Sequence, residues 1–101
     1  MRMLLTVTIP HESFNAAVRG GTIGDTMARI LDDARPEAVY FTEDNGLRQV
    51  ILVIDVQKAS QVPAFAEPWF LRFSADCKFR VVMSREDLDQ AGLDELGKKW
   101  A

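Results

Sequence analysis

The chain has few of the residues from which disulfides and metal sites are built. Its 101 residues include one cysteine, Cys77, and one histidine, His11. A single cysteine permits no disulfide within the chain and is typical of a reducing compartment. The sequence also lacks CxxC and HxxxH spacings and any dense cluster of carboxylates, so it offers no complete coordination shell. We therefore expect no metal site and no cofactor.

Basic runs and long apolar segments are also missing. The 12 Lys and Arg residues are scattered among 15 Asp and Glu residues, which gives a formal net charge of -3. This balance argues against a nucleic-acid partner, because phosphate binding requires a basic face. The apolar stretch near the N-terminus alternates with polar residues and carries no small-residue cleavage site. The sequence thus predicts a cytoplasmic protein that does not enter a membrane.

The residues that are present are typical of one soluble domain. The hydrophobic fraction is 48% and the charged fraction is 27%, both close to the averages for globular proteins. A chain of this length buries roughly two-thirds of the surface that its unfolded form exposes. No internal repeat, low-complexity segment or linker interrupts it, so we expect a single domain over residues 1–101.

The spacing of apolar residues predicts the first strand and the first helical segment. Residues 3–9 alternate with the two-residue period of a strand, and residues 11–34 follow a helical period. Three glycines between positions 20 and 24 each disfavour a helix by about 1 kcal/mol relative to alanine, so a break or a closely packed section is expected there. The expected buried stripe of this segment comprises Phe14, Val18, Met27, Ile30, Leu31 and Ala34.

A hairpin and a second helix follow. Residues 37–43 and 47–56 have strand character, and the intervening Asp-Asn-Gly supplies the positive φ angles of a tight turn. Ser60 is the expected N-cap of the second helix, and Pro63 is tolerated in its first turn.

The end of the chain predicts a last strand and a last helix. Residues 77–83 have strand character. Ser84 followed by Asp87 is a capping signature for a helix that Gly92 ends, and Trp100 indicates that the tail is not wholly free. The order is therefore βαββαβ with a C-terminal helix. It predicts an α+β fold, a ferredoxin-like sandwich with both main helices on one face of a four-stranded antiparallel sheet.

The third strand is apolar on both of its faces. Val50, Leu52 and Ile54 alternate with Ile51 and Val53, and two helices on one side cannot cover both sets. The second face would also carry Leu4, Thr6, Thr8, Tyr40 or Thr42, Arg80 and Val82. Burial of this face against a copy of itself is the simplest solution, so we expect a homodimer with its sheets packed face to face.

With this element order, its "DNG" hairpin and its aromatic "EPWFLRF" segment, the chain resembles the dimeric α+β barrel superfamily. In that superfamily two ferredoxin-like subunits pack their sheets into a barrel, and the chain looks most like small bacterial members without an established activity. Similar quinol monooxygenases and haem-degrading enzymes use a first-strand asparagine, a tryptophan and, for haem, a histidine in the second half. This chain has Thr6 and Thr8 on its first strand, and Trp69 is its one match. Other members of the superfamily, which resemble muconolactone isomerase, rely on histidine and acidic residues.

Aromatic residues near Pro68 are the most prominent candidates for a site. Proline removes one helical hydrogen bond and bends the helix, which places Phe65, Trp69 and Phe73 on one side. Core packing is the favoured interpretation of this cluster, and a ligand pocket or an interface is the alternative.

The main functional hypothesis is a homodimer that binds an apolar or aromatic small molecule, either between helix and sheet or inside the barrel. The candidate ligand-binding residues are Thr6, Thr8, Phe14, Met27, Tyr40, Trp69 and Phe73. A second hypothesis is a small isomerase or cofactor-independent monooxygenase. In it, His11 would be the acid or base and Arg80 would stabilise an enolate or carboxylate. A dimerisation scaffold without a ligand is the third.

Overall fold

A computed structural model describes all residues, 1–101, and shows an α+β fold with one sheet and five helices. The strands are β1 Arg2–Ile9, β2 Ala38–Asp44, β3 Leu47–Asp55 and β4 Asp76–Val81. The helices are α1 His11–Arg19, α2 Ile23–Ala34, α3 Val62–Phe73, α4 Arg85–Asp89 and α5 Leu93–Trp100.

The sheet is open, and all of its neighbouring strands are antiparallel. Its order is β2-β3-β1-β4, so β1 lies in the middle between β3 and β4. Leu5 of β1, for example, faces Leu52 of β3 on one side and Phe79 of β4 on the other. This arrangement is consistent with the ferredoxin-like fold that the sequence predicts.

The hydrophobic core lies between one face of the sheet and the helices. Alternate residues of β1 and β3 are fully or almost fully buried there, as the two-residue period predicts. The core residues are Leu5, Val7, Ile9, Ile30, Val50, Leu52, Ile54, Val56, Trp69, Phe73 and Ala75. Trp69 and Phe73 come from α3, which confirms the interpretation of its aromatic side as core packing.

The glycine-rich section divides the first helical segment in two, as expected. α1 ends at Arg19, Gly21 adopts a left-handed φ of 74°, and α2 begins at Ile23. The break also shifts the phase of the apolar stripe. The prediction that Val18 is buried is wrong, since its side chain is 48% exposed and the residues of α1 that pack against the core are Phe14 and Ala17.

Several boundaries differ from the sequence prediction. A 3-10 turn over Ala59–Gln61 precedes α3, so Gln61 rather than Ser60 is its N-cap, although Pro63 lies in the first turn as expected. β4 ends at Val81, two residues before the predicted end at Met83.

The C-terminal segment forms two short helices where one was predicted. The capping box is present, because Asp87 N–H donates to Ser84 Oγ at 3.1 Å and Ser84 N–H donates to Asp87 Oδ2 at 2.9 Å. The prediction that Gly92 ends this helix is wrong, because α4 ends at Asp89 with Gln90 as its C-cap, and Gly92, with a left-handed φ of 74°, is instead the N-cap of α5. We call residues 84–101 the C-terminal arm.

The arm extends away from the rest of the molecule. The radius of gyration is 17.0 Å and the longest dimension is 59 Å, whereas a compact domain of this length has a radius of gyration of about 13 Å. Every residue from Arg85 to Ala101 is exposed. None of the helices has the length and apolar character that crossing a membrane requires.

Candidate functional site: the open face of the sheet

The sheet face opposite the helices carries three rows of side chains, and we call it the open face. The rows follow from the strand register, because residues paired across neighbouring strands point to the same side. The central row is Tyr40, Ile51, Thr6 and Lys78. The flanking rows are Ala38, Val53, Leu4 and Arg80, and then Thr42, Gln49, Thr8 and Asp76.

The middle of the open face is apolar and partly buried by its neighbours. Leu4, Ile51 and Val53 are of intermediate exposure, and Tyr40 at the β2 edge is 65% exposed. At successive strand spacings of about 4.8 Å, the central row spans roughly 14 Å from Tyr40 to Lys78. Within the rows, Leu4, Ile51, Val53 and Tyr40 form a contiguous apolar strip. Such a strip on a sheet is a typical contact surface.

Polar groups border this strip. Gln49 Nε2 donates to Thr8 Oγ1 at 3.2 Å, which holds both side chains in place. Lys78 and Arg80 lie on the β4 edge, and neither takes part in any ion pair of the chain. The guanidinium of Arg80 is therefore free to donate two parallel hydrogen bonds to a carboxylate.

The covered side of the sheet is filled by aromatic rings. Trp69 is fully buried, Phe73 is 1% exposed, and their ring centroids lie 6.1 Å apart. Phe14 stacks on Phe73 at 5.8 Å, and Met27 packs against the same core. These rings leave the space between helices and sheet occupied by protein.

The predicted site residues consequently fall into two groups separated by the sheet. Thr6, Thr8, Tyr40 and Arg80 share the open face. The other predicted ligand-binding residues, Phe14, Met27, Trp69 and Phe73, pack on the covered side.

His11 stands apart from both groups. It is the first residue of α1 and is exposed, and its side chain makes neither a hydrogen bond nor an ion pair. α1 packs on the covered side, whereas Arg80 belongs to the open face. The structure does not bring the two predicted catalytic residues together.

One arginine contact on the covered side was not predicted. The Arg48 guanidinium lies 4.3 Å from the centroid of the Phe14 ring, and its Nη1 donates to Asn15 Oδ1 at 2.9 Å. A cation over an aromatic face is attracted by the ring quadrupole. This contact joins α1 to the sheet, and the hydrogen bond from Ser13 Oγ to the Phe73 carbonyl oxygen joins α1 to α3. Both serve the fold rather than a site.

Two open depressions lie outside these rows of the sheet. One, of about 440 Å³, lies at the end of the sheet beside the Arg2–Glu37 ion pair, whose Arg2 Nε is 3.1 Å from both carboxylate oxygens. That hydrogen bond raises the pKa of Arg2. The other, of about 1070 Å³, runs between α2 and α3 and is lined mainly by polar residues. Neither depression is enclosed.

Cys77 faces the covered side and is expected to react slowly with thiol reagents. Burial, with a smaller contribution from the charge of Asp76, raises the pKa of its thiol to about 11. Only the thiolate is nucleophilic. Alkylation by iodoacetamide at pH 8 should therefore be about a hundredfold slower in the native chain than in urea, where the thiol has its ordinary pKa. The native rate should rise with pH until about 11, and equal rates in the native and unfolded chains would contradict the assignment.

No protein-family model matches the chain, and comparison with curated proteins finds no relative. The structure also shows no group of three or more His, Cys, Asp or Glu residues that could hold a metal ion.

Proposed function

We propose that the protein is a homodimer joined through its open faces and that the space between the two sheets binds a small apolar or aromatic molecule. The observation that carries this proposal is the uncovered apolar strip of Leu4, Ile51, Val53 and Tyr40. Facing two such strips removes apolar surface from water at about 25 cal/mol per Å². In its detailed form, the proposed assembly is a dimeric α+β barrel, like those of the superfamily that the chain resembles.

The filled covered side favours a ligand site between the sheets. A molecule bound under the helices would have to displace Trp69 or Phe73, both of which are almost completely buried. A molecule bound between the sheets would contact the open faces of both subunits. Two-fold symmetry means that each subunit contributes the same side chains.

The side chains of the open face suggest the chemistry of the ligand. The Tyr40 ring and Ile51 offer apolar contact, and the hydroxyls of Thr6 and Thr8 can donate or accept hydrogen bonds. Arg80, which lacks an ion-pair partner, suits an acidic group. We therefore propose an aromatic or apolar molecule that carries a carboxylate.

Native mass spectrometry of freshly purified protein tests both parts of the proposal. We expect a dimer that carries additional mass, and the mass gives the formula of the ligand. Arg80→Met should remain dimeric but lose most of the bound mass, because the acidic group loses its partner. Arg72→Met is the matched control, since Arg72 lies exposed on α3 away from the open face.

The other outcomes discriminate among the hypotheses. A dimer without additional mass, in the wild type and under added aromatic acids, would support the scaffold hypothesis and contradict the ligand site. A monomer at micromolar concentration would contradict the proposal as a whole.

A further inference from the structure

The C-terminal arm carries an apolar stripe that its own chain does not cover. The exposed fractions of the residues in this stripe are 45% for Leu88, 57% for Leu93, 44% for Leu96 and 77% for Trp100. In α5 these apolar residues have the spacing i, i+3, i+7, which places them on one side of the helix. Asp94, Glu95, Lys98 and Lys99 occupy the opposite side.

Helices of this length need a surface to pack against. α4 has 5 residues and α5 has 8, and isolated helices shorter than about 12 residues are marginal in water. Within the arm, the contacts that support α5 are the weak Glu95–Lys98 pair at 3.4 Å and the Lys99 ammonium 5.3 Å from the Trp100 ring centroid. Both contacts are exposed, so neither supplies the burial that orders a short helix.

We infer that the arm of each subunit packs its apolar stripe against the second copy in the proposed dimer. This inference rests on the proposed function, because it requires the open-face dimer to form. It extends that proposal by assigning to the arm a part of the subunit interface.

The area of the open face supports a second contact. Four strands about 4.8 Å apart and on average about 25 Å long give a flat footprint of roughly 500 Å². A stable interface of standard size buries about 800 Å² per partner. The arm, which begins three residues after the end of the edge strand β4 and carries four exposed apolar side chains, supplies further apolar area.

The charges of the arm and of the β4 edge are complementary. Between positions 85 and 95 the arm has one basic residue, Arg85, and five acidic ones, Glu86, Asp87, Asp89, Asp94 and Glu95. The β4 edge of the open face presents Lys78, which has no ion-pair partner in the chain and is not assigned to the ligand. Two-fold symmetry would let the acidic part of each arm meet the basic edge of the other subunit.

The two tryptophans provide the test. Trp69 is fully buried and Trp100 is 77% exposed, so acrylamide quenching of the wild type compared with Trp100→Phe isolates the Trp100 signal. As the protein concentration rises through the dimer dissociation constant, we expect quenching of Trp100 to fall several-fold and its emission to shift to the blue. The Trp69 signal that remains in Trp100→Phe should not change with concentration.

A pair of variants within α5 provides a second measurement. Leu96→Asp should raise the dimer dissociation constant about tenfold or more, since a buried leucine contributes about 1.5–3 kcal/mol. Lys98→Asp is the matched control, because it introduces the same side chain on the polar side of α5, where Lys98 contacts only the exposed Glu95, and it should leave the constant nearly unchanged.

The outcomes separate this inference from the proposal on which it rests. A dimer in which Trp100 is quenched as strongly as in the monomer would overturn the assignment of the arm and leave the open-face dimer intact. Protection of Trp100 that persists in the dilute monomer would show that the arm folds onto its own chain, and would also overturn the inference. Absence of a dimer at every concentration would overturn both.

Discussion

Replacement of Trp69 by alanine is expected to lower the free energy of unfolding by about 3–5 kcal/mol. The side chain is fully buried and lies beside Phe73 in the centre of the core, so its removal leaves a cavity that the sheet and α3 cannot close. Since domains of this size have a total stability of about 5–15 kcal/mol, the loss is a large fraction of the whole. Urea denaturation followed by far-ultraviolet circular dichroism measures it.

Trp69→Phe is the informative control. The indole Nε1 of Trp69 is buried and has no hydrogen-bond partner among the groups of the protein, and removing a buried donor without a protein partner relieves a desolvation cost. Phenylalanine retains most of the apolar contact and should therefore cost much less than alanine. A loss as large as that of alanine would show that the indole N–H has a partner, and a negligible loss in Trp69→Ala would contradict the central position of the residue.

Ile51→Asp on the open face is expected to dissociate the proposed dimer while leaving the subunit folded. Ile51 lies in the central row between Tyr40 and Thr6, so a carboxylate there would be buried without a partner at the subunit contact. Such burial costs several kcal/mol, which corresponds to at least about a hundredfold rise in the dissociation constant. Analytical ultracentrifugation over a concentration series measures this constant.

A matched substitution controls for surface charge. Leu71 is an aliphatic residue of α3 that is 80% exposed on the other side of the molecule, so Leu71→Asp should leave the association unchanged. Equal dimerisation of Ile51→Asp and the wild type would place any dimer contact elsewhere. The circular dichroism spectrum of Ile51→Asp must match that of the wild type, because its side chain lies outside the core.

Local sequence signals predicted the parts of the fold that depend on local chemistry. The two-residue period identifies the buried face of β3, and Asn45 and Gly46 adopt positive φ angles of 51° and 80° in the hairpin turn. The three-residue spacing of Ser84 and Asp87 produced the capping box. In each case the residues that determine the conformation are neighbours along the chain.

Features that depend on contacts between distant parts of the chain could not be predicted from local sequence signals. Tyr40 and Trp69 were predicted to share a ligand site, but the relative position of a strand residue and a helix residue depends on which face of the sheet the helix covers. The division of the C-terminal segment into α4 and α5 was also missed. A glycine that can end one helix can equally begin another, and no local pattern distinguishes the two.

The two edges of the sheet differ in how well they resist the addition of a further strand. β4 carries a charged residue at every second position, namely Asp76, Lys78 and Arg80. Charged residues on an edge strand discourage pairing with another chain. β2 carries no charge from Ala38 to Thr42, and its Tyr40 and Phe41 are 65% and 61% exposed. Aggregation of concentrated or partly unfolded protein should therefore begin at β2, where a Phe41→Lys substitution would improve solubility.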